Sequence, residues 1–106
     1  MIISVERDST GFIDCLFAWK PRRIFCLKKC TISHLVDLII DRLFSGNLPK
    51  YSLWGLYCDN EVIAYVEFCR GLGYRCELPL GNRSLSTLHS KNIRCKVYRR
   101  VNSYKW

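Results

Sequence analysis

Cysteine and histidine are the residue types in this 106-residue chain best suited to chemistry on their own, with seven of the first and two of the second. A structural zinc site usually draws thiolates from Cys-x-x-Cys pairs, whose spacing lets two sulfurs close on one ion. No such pair occurs, so ligands would have to be assembled from Cys26, Cys30, Cys58, Cys69, Cys76, Cys95, His34 and His89. A disulfide framework fits no better, because the count is odd and most cysteines sit inside alternating apolar runs. Reduced core thiols are the simpler reading. No Cys–His pair stands at a spacing that suggests nucleophile and base, and no paired carboxylates or glycine-rich phosphate loop is present. The chain is therefore expected to have no catalytic activity, no metal and no cofactor.

The other candidate chemistry is charge. The formal net charge is +8, which points to an acidic partner: a nucleic acid, an anionic membrane or an acidic protein surface. Lys20, Arg22, Arg23, Lys28 and Lys29 form one basic group. Lys91, Arg94, Lys96, Arg99, Arg100 and Lys105 form a second, with no acid between them and with Tyr98, Tyr104 and Trp106 interleaved.

The element that must position the first group is the segment Thr31 to Gly46. Leu35, Ile39 and Leu43 recur at i, i+4 and i+8, Val36 and Ile40 widen the stripe, and His34, Asp37 and Asp41 lie opposite. Thr31 or Ser33 can cap its start, and Gly46 with Asn47 suits its exit. The rest reads as sheet. Phe12 to Trp19 and Arg23 to Lys29 form an expected hairpin through Lys20, Pro21 and Arg22. Tyr51 to Cys58 and Val62 to Phe68 form a second, turning at Asp59 to Glu61. Tyr74 to Leu80 is an edge piece, Gly81 to Leu88 a loop with one helical turn, and Ile93 to Val101 a half-buried strand with Arg94, Lys96 and Tyr98 outward. Residues 1–11 are expected as an N-terminal extension or short extra strand (Ile2 to Glu6), 12–101 as one domain, and 102–106 as a tail. No apolar run reaches the ~20 residues that span a bilayer, and the N-terminus lacks a signal-peptide pattern. An intracellular, cytoplasmic location is expected.

A hairpin, one helix across a mixed sheet and a final central strand resemble the ubiquitin-like β-grasp superfamily over Phe12 to Val101. The expected class is α+β, with a mixed sheet of four to five strands and one main helix packed across it. Within that superfamily TISHLVDLIIDRLFSGNLPKYSLWGLY, and later RCELPLGNRSL, are similar to the Ras-associating (Ras-binding) domain family. That resemblance implies a non-catalytic module whose second strand pairs with the effector strand of a GTP-loaded Ras-family small GTPase, in signal transduction. Lys20, Arg22, Arg23, Lys28, Lys29 and Arg42 are the positions it would use, steering an acidic switch region.

Two rivals stand beside it. The chain also resembles the RAWUL domain of Polycomb RING-finger proteins, a nuclear scaffold that binds protein partners; this predicts an exposed apolar patch around Trp54 and Tyr65. The second basic group suggests instead a nucleic-acid binder that combines phosphate contacts with stacking.

Overall fold

The computed structural model describes residues 1–8, 21–44, 51–69 and 73–101. Six strands and one helix follow in order: β1 (Ile2–Arg7), β2 (Arg22–Phe25), α1 (Ile32–Leu43), β3 (Tyr51–Cys58), β4 (Glu61–Cys69), β5 (Gly73–Glu77), a single 3₁₀ turn (Leu85–Thr87) and β6 (Asn92–Val101). The strands form one mixed sheet in the order β2-β1-β6-β3-β4-β5. The β1–β6 pair is parallel and the other neighbours are antiparallel.

Each element forms for a local reason. Thr31 caps α1, its hydroxyl accepting the His34 N–H at 3.3 Å, and the Phe44 N–H closes the last turn on the Ile40 carbonyl at 3.1 Å. Ile32, Leu35, Val36, Ile39 and Leu43 are buried, so the 3.6-residue stripe read from the sequence is the face laid on the sheet. Ile3, Val5, Ile24, Trp54, Leu56, Ile63, Val66, Ile93 and Cys95 complete the core from below. At the β3–β4 hairpin Asp59 takes a positive φ of 55°, a conformation that Asp tolerates better than most residues.

The core closes around aromatics at the end of α1. Phe44 meets Trp54 edge-on at 4.7 Å and lies 5.2 Å from Phe68, while the Trp54 indole N–H donates to the Ser52 hydroxyl at 3.0 Å. Both polar groups would be costly if buried alone, and the bond satisfies them together.

Several expectations change. The sheet has six strands rather than four to five. The partner of β2 is β1, so the stretch read as an extension or short extra strand is an interior strand between β2 and β6; Phe12 to Trp19 lies outside the described residues. Period-2 burial explains it: Ile3, Val5 and Arg7 face the core, and an alternating strand with one apolar side belongs inside a sheet. β2 ends at Phe25 rather than Lys29, since Lys28 and Lys29 form a turn into α1. The exit at Gly46 and the tail from residue 102 lie outside the described residues.

Candidate functional site

Among the described residues β2 is the outermost strand on its side of the sheet, and its register fixes which groups it offers. Met1 and Cys26 exchange both main-chain bonds, N–H of Cys26 to the Met1 carbonyl at 2.9 Å and the Met1 amine to the Cys26 carbonyl at 2.7 Å. Antiparallel pairs alternate between bonded and non-bonded. Counting back through Ile2↔Phe25, Ile3↔Ile24 and Ser4↔Arg23 makes Ile24 a bonded position and leaves Phe25 and Arg23 with N–H and C=O directed away from β1. The Ser4 N–H agrees, turning from β2 to the Lys91 carbonyl at 2.8 Å. Among the described residues these outward groups have no strand beside them. They are where a second chain could add one.

Side chains around this edge are basic and apolar. Arg22 and Arg23 are both exposed, and they point to opposite faces: Arg23 shares the uncovered face with Ser4, and Arg22 the helix-covered face with Val5. Phe25 is 67% exposed and Leu27 49%. Lys28 and Lys29 are exposed in a turn that is tied down from below: Ser86 N–H donates to the Lys28 carbonyl at 3.2 Å, Leu85 N–H to the Cys30 carbonyl at 2.8 Å, and Ile32 N–H to the Arg83 carbonyl at 2.9 Å. The 82–88 segment thus gives the basic turn a fixed seat. Arg42 is exposed in the last turn of α1, where its charge suits the negative end of the helix dipole. Lys20 lies outside the described residues. The structure therefore gathers Arg22, Arg23, Lys28 and Lys29 at one sheet edge and places Arg42 on the helix.

Three of the six described cysteines are core residues. Cys26, Cys58 and Cys95 are buried, Cys30 and Cys69 half-buried and Cys76 exposed. Burial pushes the Cys26 and Cys58 thiols up, and the Cys95 thiol up to about 12. A thiolate nucleophile needs the opposite environment. Among the described residues no three side chains of the metal-binding types converge.

The apolar patch expected around Trp54 and Tyr65 does not form. Trp54 is fully buried and pairs with Val66, whereas Tyr65 pairs with Gly55 on the other face; adjacent strand positions point to opposite sides.

Sequence reasoning missed Phe25 and Leu27 as exposed apolar groups, because an alternating run does not say how much of each side the fold will cover. It also missed the role of Tyr57 and Tyr65, which only the strand order brings beside Tyr98. Comparison with family models, with curated proteins and with solved structures finds no match to this chain.

Proposed function

We propose that this chain is a non-catalytic protein-binding module, a ubiquitin-like β-grasp domain of an intracellular signalling protein, that takes an extended segment of a GTP-loaded Ras-family small GTPase onto the edge of β2. The observation that carries the reading is the outward main chain of Arg23 and Phe25, set between two exposed arginines and a seated Lys28–Lys29 turn. The β2-β1-β6-β3-β4 order, with the parallel β1–β6 pair at its centre and the helix after the second strand, supports the β-grasp reading.

Magnitudes say how the parts share the work. Two outward groups each on Arg23 and Phe25 allow four main-chain bonds. At ~0.5–1.5 kcal/mol apiece they give at most ~6 kcal/mol, short of the ~8 kcal/mol of a micromolar complex. Burial of Phe25 and several cations facing an acidic strand supply the remainder, the charges acting mainly on the rate and selectivity of encounter.

The test is an NMR titration of the isotope-labelled chain with Ras-family GTPases loaded with a GTP analogue and, separately, with GDP. Shifts at residues 22–29, confined to the GTP form, are the expected result. Arg23→Pro removes one outward N–H without touching the β1 ladder and abolishes the complex, whereas Arg23→Gln removes only the charge and weakens it. Equal binding by the proline variant, shifts centred on Tyr65 and Tyr98, or no shifts with any loaded GTPase would overturn the proposal.

A further inference from the structure

The face of the sheet opposite α1 carries a second feature, built from three neighbouring strands. A β-bulge between Leu53 and Trp54 leaves Tyr98 as the extra residue of β6. Its ring crosses onto β3 above Gly55, where a Cβ would lie 2.4 Å from Tyr98 Cε2. A side chain at that position would have to displace the ring, which glycine leaves in place. Tyr98 then sits 6.3 Å from the Tyr57 ring and 6.0 Å from the Tyr65 ring, so β3, β4 and β6 present one aromatic surface. Tyr98 is 47% exposed at its centre. Lys96 reaches over this surface, its Nζ 4.8 Å from the Tyr57 ring centroid.

We infer that this face binds single-stranded nucleic acid, with a base stacked on Tyr98 and Lys96 on the adjoining phosphate. Two properties select this occupant. The surface is aromatic but lies on an open sheet without a deep apolar pocket, which suits the flat π-face of a base more than an aliphatic side chain. Its charges are also unevenly placed. Glu6 and Asp8 are both engaged by Arg94, at 2.9 and 2.7 Å, and Glu67 by Arg75, while Glu77 stands opposite Tyr65 and Asp59 follows the end of β3, so the cationic part of the face is the β6 side, at Lys96 and Tyr98. Among the described residues no carboxylate forms an ion pair with Lys96, and the chain as a whole carries a net charge of +8.

The experiment is fluorescence anisotropy of dye-labelled (dT)₁₂ and (U)₁₂ with the full chain at 50 and 200 mM NaCl. Binding is expected at micromolar protein, falling with salt. Tyr98→Phe keeps the affinity, Tyr98→Ala lowers it about tenfold, and Lys96→Gln lowers it less while reducing the log–log salt slope by about 1. Because Tyr98 also covers Gly55, each variant is checked by thermal midpoint; Lys96→Gln, which leaves the rings in place, tests the site without that burden. No anisotropy change at 100 μM protein in 50 mM salt would overturn the inference. So would undiminished binding by both Tyr98→Ala and Lys96→Gln, or equal competition by poly-glutamate, which would identify polyanion attraction or an acidic protein partner instead.

Discussion

Arg7 should be the most consequential charged residue for stability. It is 5% exposed in β1 and donates from Nε to the Leu43 carbonyl at 2.6 Å, with its guanidinium carbon 5.5 Å from the Phe44 ring centroid. Leu43 is the last residue of α1, so its carbonyl has no partner within the helix and carries part of the negative dipole end. Replacing Arg7 by Met keeps the stem and removes the donor. A hydrogen bond to a charged group is worth ~1.5–3 kcal/mol, and the helix-end charge a further ~0.3–1, with the two overlapping. The buried carbonyl left without its donor raises the loss. We expect Arg7→Met to destabilise by about 3 kcal/mol, or roughly 12–24 °C in Tm at ~4–8 °C per kcal/mol for a domain near this size. The opposing term is the cost of desolvating the guanidinium, which in some proteins makes an apolar replacement neutral. Urea unfolding followed by tryptophan fluorescence decides between them, with Trp54 reporting from beside Phe44. A loss under 1 kcal/mol would refute the reasoning and show that desolvation offsets the contact. Arg7→Lys, which keeps charge but not the planar donor, should fall about midway.

Three further predictions concern groups on either side of the sheet. Gly55→Val should destabilise by about 1 kcal/mol despite the better strand propensity of valine, because the new side chain drives the Tyr98 ring off its seat; in a Tyr98→Ala background the same change should become neutral or stabilising, and a cycle with no such coupling would count against the contact. Stability should hold up to about pH 9 and decline toward pH 12. The Tyr74 hydroxyl, bonded to Asp37 and partly desolvated, and the buried Cys95 thiol are both raised to about 12 in the folded chain. Folded pKa values above the unfolded ones favour folding while the groups are protonated, and that contribution is lost as pH rises through the folded values. Urea midpoints against pH measure the decline, which Tyr74→Phe should reduce. Among the described cysteines, iodoacetamide at pH 8 should modify exposed Cys76 first, and Cys26, Cys58 and Cys95 only as the chain unfolds.

Much of this architecture was legible because it is local. Thr31 and the Leu35–Ile39–Leu43 spacing specify a capped amphipathic helix whatever it packs on, and Asp59 with Asn60 between two apolar runs specifies a hairpin turn. Alternation in β6 placed Arg94, Lys96 and Tyr98 outward, where they are exposed. Alternation did not identify Ile2–Arg7 as a partner of β2, since pairing between distant segments depends on which elements complete the core. Nor did it show Arg7 facing inward: an arginine at the end of IISVER reads as solvated until the end of α1 is brought above it.

The basic edge divides in the same way. The cluster of Arg22, Arg23, Lys28 and Lys29 is a property of the chain, and so are the +8 charge and the tyrosines of β3, β4 and β6. That β2 is the outermost described strand with the main chain of Arg23 and Phe25 turned away from β1, and that Tyr57, Tyr65 and Tyr98 meet across three strands, was decided by strand order and register. Local sequence sets the period and polarity of each element through backbone geometry and side-chain burial. Which elements become neighbours depends on contacts between residues far apart in the chain, and their free energy exists only once the whole core has closed.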